Sequence, residues 1–311
     1  MYAQAAISFA VTLVLAAYAL LESVMRKKPA LFQRLAAAIA AGSAIFLYQS
    51  TYYLLYVPLV AVFYLIGSTY LERKGMALAA AGLAYVLLVY GNATAILMQA
   101  ALIGLFFSMR AEQIYVIRKS GRNDMAVEGN RDAFQIFVGL LIALAYFLAP
   151  PERADLAVLA AIILGYGFVS LIMNSDLGEL SRMFKNFERK GVRYASGASW
   201  LAIGMLLSLS VLQSAHQILL VIAALFFADS AATIIGMRSK RKLFYNNRKS
   251  YAGTIAYFLI VAAFGYFLIG AFALVAAAVA ALVESVDIHI DDNLDVAIAL
   301  VLLFAIYNLL A

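Results

Sequence analysis

The chain has no cysteine, so neither a disulfide nor a thiolate metal site can belong to it. Its two histidines, His216 and His289, lie in different loops by the hydropathy pattern and cannot make a multi-histidine metal centre within one chain. Charge is also scarce: Asp, Glu, Lys and Arg are 13% of the 311 residues, against 66% hydrophobic. That balance lies far from the roughly half-apolar composition of soluble domains. No Walker A loop, protein-kinase glycine loop, HExxH or Rossmann pattern occurs, which excludes the soluble nucleotide folds as far as motifs can. No ten-residue alternation suggests a membrane barrel.

What is present is a series of apolar runs near the length needed to cross a hydrocarbon core as helices. They fall at 2–21, 31–49, 52–71, 75–91, 93–110, 133–149, 155–174, 194–213, 215–236, 252–269, 271–286 and 294–310. The expected architecture is therefore all-α, a polytopic bundle of about twelve spans. The first run has no basic residue before it and carries Arg26, Lys27 and Lys28 after it, so it reads as a retained span rather than a cleaved signal. With the N-terminus outside, the inner loops and their helix ends hold 22 of the 23 Lys and Arg residues, leaving only Arg153 opposite. Basic residues in short loops stay on the cytoplasmic side, so the expectation is N-out and C-out, with the polar face in the cytoplasm. The net charge of +6 then needs no nucleic acid, because basic loops lie naturally beside anionic lipids.

Chemistry concentrates from Phe227 to Ala256. Asp229 sits inside an apolar run beside Ser230, with Thr233 one turn on. An ionised group at that depth costs at least a few kcal/mol, which makes it a functional candidate. A cationic loop follows, with Arg238, Lys240, Arg241, Lys242, Arg248 and Lys249, and then Ser250 and Gly253 open the next run. Such a loop either fixes topology or binds polyphosphate. Upstream, Glu128, Arg131 and Gln135 bring an acid, a base and an amide to the mouth of a span. Glu128 and Arg131 would face one another if helical.

The last inner loop breaks the basic rule. Glu284, Asp287, Asp291, Asp292 and Asp295 place five acids in twelve residues, with Asn293 among them. Hard carboxylate and amide oxygens suit magnesium, or manganese, bridging to substrate phosphates. A basic and an acidic loop on one face look like opposite halves of one site.

With both loops in view, the sequence resembles the dolichol kinase and phytol kinase family. The family's GDxxAxxxG and KSxxG[ST] are matched by Ala228 to Gly236 and by Lys249 to Thr254. Its late Glu and Asp-Asn-Leu are matched by Glu284 and by Asp292, Asn293 and Leu294, and the segment from Glu128 to Gly139 looks like its ExxRKxxH entrance. Ala228 stands for the usual glycine and Ala297 for a common proline. Gln135 stands near a frequent histidine, and an amide cannot shuttle a proton at neutral pH. The resemblance covers roughly 128–311 and divides the chain into N-terminal transmembrane helices, 1–110, and a catalytic region, 111–311.

The resemblance implies an integral-membrane enzyme that phosphorylates a long isoprenoid alcohol in the bilayer, with CTP as co-substrate. It implies magnesium and triphosphate positioning by Asp229, Asp291 or Asp292, and Asn293. Ser230, Thr233, Gly236, Lys240, Arg248, Lys249, Ser250 and Gly253 would surround the nucleotide. Asp229, Lys249 and Glu284 would serve catalysis, Glu284 by orienting or deprotonating the alcohol. Two other readings remain at this point: a membrane CDP-lipid cytidylyltransferase, and a twelve-span secondary transporter.

Overall fold

Inside a bilayer no water takes up the backbone amides, so a chain this apolar must bond its backbone internally, and without a closed barrel that means helices. The computed structural model describes residues 56–89, 94–109, 125–179, 181, 184, 194–286 and 291–310. Among these it is all-helical apart from one isolated antiparallel bridge between Lys242 and Ser250. The helices are α1 Tyr56–Thr69, α2 Gly75–Val89, α3 Thr94–Ser108, α4 Met125–Leu148, α5 Pro151–Asn174, α6 Ser196–Val211, α7 Ala215–Arg238, α8 Tyr251–Ile269, α9 Phe272–Ser285 and α10 Asp292–Leu310.

Ten of the twelve expected positions thus carry helices, and the runs at 2–21 and 31–49 lie outside the described residues. Length separates them into two kinds. Residues Gly129–Leu148 of α4, and α5, α7, α8 and α10, are long and apolar enough to cross a membrane. By contrast α6 and α9, bounded at both ends by described non-helical residues, are apolar but only 16 and 14 residues long, which at 1.5 Å per residue reaches about 24 and 21 Å. A hydrocarbon core is about 30 Å thick. The structure therefore departs from uniform spans. It also starts α4 at Met125, so the segment from Glu128 to Gln135 is helical rather than a loop entrance. His216, expected in a loop, is an exposed residue in the first turn of α7.

The chain gathers into two compact units. In the first, which contains α1–α3 and residues 158–174 of α5, Gly104 lets α3 lie against α1: a Cβ there would come 2.6 Å from the Phe63 Cβ and 2.7 Å from the Val60 carbonyl oxygen. The second contains α4, the start of α5, most of α6 and α7–α10. It holds all of the candidate site that the structure describes.

Close approach of helices shapes this second unit. Between α8 and α9 the chain reverses at Gly270, whose φ of +66° is open to glycine and strained for other residues. Helix α9 buries Ala273, Ala276, Ala277, Ala280 and Ala281, small side chains that let neighbouring backbones approach. The two motif glycines do the same. A Cβ on Gly253 would lie 2.8 Å from the Ala232 carbonyl oxygen and 3.3 Å from the Gly236 Cα. These glycines therefore let α7 and α8 touch each other. Gly253→Ala is expected to destabilise the protein by about 1–3 kcal/mol through overpacking. Gly236→Ala, whose Cβ would meet Ser250 Oγ at 3.2 Å, should cost less. Unfolding of the two purified variants by denaturant checks the order.

Candidate functional site

The site begins with an irregularity in α7. Residues Ala223–Ala228 form a π-helical turn, and the Asp229 amide bonds to the Ala224 carbonyl, five residues back. In an α-helix that amide would take the Leu225 carbonyl. The freed carbonyl instead accepts from Gln135 Nε2 at 2.7 Å, and the same nitrogen donates to Asp229 Oδ2 at 3.1 Å. One amide thus satisfies the backbone defect and holds the carboxylate. Insertions of this kind are frequent at functional sites. Gly139, one turn beyond Gln135, makes room: a Cβ there would lie 2.5 Å from the Phe226 Cβ.

The cationic loop is ordered by its own backbone and by α9. Leu243 N donates to the Lys249 carbonyl at 3.1 Å, Tyr251 N to the Arg241 carbonyl at 3.3 Å, and Leu243 is buried inside the fold-back. The last carbonyls of a helix lack intrahelical partners. Asn246 Nδ2 supplies one to the Ser285 carbonyl at 3.0 Å, while the Tyr245 hydroxyl and Ser285 Oγ lie 2.7 Å apart. Lys242 Nζ does the same for the Gly236 carbonyl at 3.3 Å.

This docking brings the two loops together. Lys249 Nζ lies 2.5 Å from Glu284 Oε1 and 2.7 Å from Asp292 Oδ2. Burial works against the ammonium charge, but Asp292, Glu284 and Asp229 more than offset it and hold the Lys249 pKa above the ordinary lysine value. Leu225, Asp229, Tyr257, Glu284, Asp292, Asn293 and Val296 line a narrow crevice beside this pair.

Other expected residues that the structure describes do not line the crevice. Ser230 is fully buried, its hydroxyl donating to the Phe226 carbonyl at 2.8 Å and to the Asp132 carbonyl at 3.4 Å. Ser250 is the N-cap of α8 and accepts from Gly253 N at 3.1 Å. Thr233 and Arg131 are half-buried and do not line the crevice. Lys240 and Arg248 are exposed on the loop. Glu128 lies in the first turns of α4, its side chain outside the described set, as are Asp287 and His289.

Asp291, an expected metal ligand, uses one carboxylate oxygen at the start of its own helix. Its Oδ1 accepts from Asn293 N and Nδ2, each at 3.1 Å, so it caps α10. Burial and the neighbouring Asp292 push its carboxyl up to about 7, against those two hydrogen bonds. Asn caps a helix as well as Asp does. Asp291→Asn should therefore match wild-type stability within about 0.5 kcal/mol, whereas Asp291→Ala should lose about 1 kcal/mol. Equal stability of all three, with activity lost in Asp291→Asn, would return Asp291 to the site.

Among the described residues no three His, Cys, Asp or Glu side chains converge as a metal set, and Lys249 stands where Glu284 and Asp292 meet. Hard oxygens are nevertheless available. Glu284 Oε2 and Asn293 Oδ1 are buried and have no protein partner, and Asp229 lines the same crevice. Asp229, Asp292 and Asn293 offer oxygens of the kind that magnesium or manganese takes, while one oxygen of Asp291 is taken up at the start of its own helix.

Tyr257 is the polar crevice residue that sequence reading missed, along with the apolar Leu225 and Val296. Its signal was present in the spacing of Ser250, Gly253 and Tyr257, three and then four residues apart, which shares one helix face. Asn246 and Ser285 gave none, because their contact joins positions far apart in the chain.

An uncharacterized protein of Methanocaldococcus jannaschii is 28% identical to this chain over 166 residues, covering 53% of this chain and 85% of the relative. No family model matches the chain, and no solved structure matches it.

Proposed function

We propose that the protein is a membrane lipid kinase. It would move the γ-phosphoryl group of a nucleoside triphosphate, CTP by the family resemblance, to the hydroxyl of a long isoprenoid alcohol of dolichol, phytol or geranylgeraniol type. The observation that carries this reading is the meeting of the two loops, with Lys249 between Glu284 and Asp292 beside Asp229. The 22-to-1 distribution of basic residues supports twelve spans, N-out and C-out, with the site facing the cytoplasm. Polar residues gathered toward one face favour an enzyme over a transporter, whose sites lie near the bilayer midplane.

Phosphoryl transfer asks a protein chiefly to position its reactants and neutralise charge. Magnesium or manganese, when bound by Asp229, Asp292 and Asn293, supplies charge neutralisation at the phosphate oxygens. Gln135 fixes the Asp229 carboxylate. Lys249 holds Glu284 and Asp292, so its own contact with a phosphate requires exchange of one of them. Lys240 and Arg248, exposed above, attract the nucleotide. The alcohol oxygen forms a bond to the γ-phosphorus, the bond from that phosphorus to the bridging oxygen breaks, and the nucleoside diphosphate leaves. The alcohol proton passes to Glu284.

Purified protein incubated with labelled CTP or ATP, magnesium, and a panel of prenols and diacylglycerol tests the reading. A lipid monophosphate is the expected product. A CDP-lipid with pyrophosphate would make it a cytidylyltransferase, and no product with any donor would remove the enzyme.

A further inference from the structure

Three polar atoms in the crevice have no protein partner: the Tyr257 hydroxyl, Glu284 Oε2 and Asn293 Oδ1. They come from three different helices, α8, α9 and α10. Tyr257 is 1% exposed and Glu284 4%, so water outside the protein does not serve them. Buried polar groups are satisfied in almost every native structure, and each one left bare costs about 1–3 kcal/mol. The group they await can be read from their chemistry. A cation on Asn293 Oδ1 would leave the phenol proton without an acceptor and Glu284 Oε2 without a donor. A hydroxyl accepts from Tyr257 through its lone pairs and donates its own proton to Glu284. Leu225 and Val296 contribute apolar surface to the walls.

We propose that Tyr257, with Glu284, forms a subsite for the hydroxyl of a lipid alcohol, Tyr257 donating to the alcohol oxygen. This rests on the kinase reading only in taking an alcohol, rather than water, as the resident group. Tyr257 lies six residues into a helix long enough to cross the membrane, so a lipid would reach it from the bilayer.

The test uses the full chain in phosphatidylcholine nanodiscs, without nucleotide or metal. Its thermal unfolding is followed with geranylgeraniol and with the same chain lacking the hydroxyl. The alcohol should raise the midpoint more than the hydrocarbon does. Tyr257→Phe should weaken apparent affinity for the alcohol about tenfold, the loss of one hydrogen bond, and leave the hydrocarbon unaffected. Thr254→Val is the control. Thr254 also carries an unpartnered hydroxyl on α8 but does not line the crevice, so this variant should still distinguish the ligands. A photoreactive group next to the alcohol hydroxyl, used on wild-type protein, should label peptides of α8, α9 or α10. Equal midpoints for alcohol and hydrocarbon, full discrimination in Tyr257→Phe, or labelling confined to other helices would each overturn the subsite. Discrimination without phosphoryl transfer from any nucleotide would keep the subsite and remove the kinase; transfer without discrimination would do the reverse.

Discussion

Replacing Lys249 by Met is expected to destabilise the protein by roughly 3–5 kcal/mol, the usual consequence of leaving a buried charge without its partner. The exposure of the two carboxylates decides which one matters. Glu284 has 5% of its side chain exposed and Asp292 44%, so Asp292 regains water when the lysine is lost and Glu284 does not. Glu284→Gln should therefore restore most of the stability of Lys249→Met, although the same change alone destabilises. Because the folded state raises the Lys249 pKa, its contribution is fully present below the unfolded value of about 10.5 and is lost only as pH rises through the higher folded value. Lys249 should thus add no pH dependence near neutrality. Denaturant unfolding of the three variants in micelles measures this, and an undiminished midpoint in Lys249→Met would show that the lysine does not compensate Glu284.

Asp229→Asn should lower phosphoryl transfer at least a hundredfold, the scale set by one preorganised electrostatic group, while the protein stays folded. The amide keeps the carboxylate's shape but not its charge. Gln135 Nε2 can still donate to the Asn oxygen and to the Leu225 carbonyl, so the π-helical turn keeps its partner. Asn293→Ala removes the acceptor across the same crevice, and the double variant should lose little more than Asp229→Asn alone, since residues acting as one unit are non-additive. Turnover and nucleotide affinity are the measurements. Near wild-type turnover in Asp229→Asn, or losses that multiply in the pair, would mean that the loops do not form one centre.

The sequence by itself determined that the chain is helical and belongs in a membrane, because a run of apolar residues meets the bilayer through its own composition and its backbone has no other partner there. It also located Asp229, since a charge inside an apolar run stands out by itself; Lys249, Glu284 and Asp292 are picked out of their charged loops by the motif resemblance. Helix length was less legible: hydropathy continues past the point where α9 and α6 stop, so apolar runs read as longer than the helices they contain. The tertiary structure alone decided what each polar group touches. It made Ser250 a cap, Ser230 an internal hydrogen-bond donor, Asp291 the cap of α10, and Gly236 and Gly253 a helix contact. It also revealed Tyr257 in the crevice, and a π-helical turn that hands Leu225's carbonyl to Gln135. The Lys249–Glu284 and Gln135–Asp229 contacts depend on distances of about 3 Å between residues 35 and 94 positions apart. No local pattern encodes such distances; the packing of the helices does.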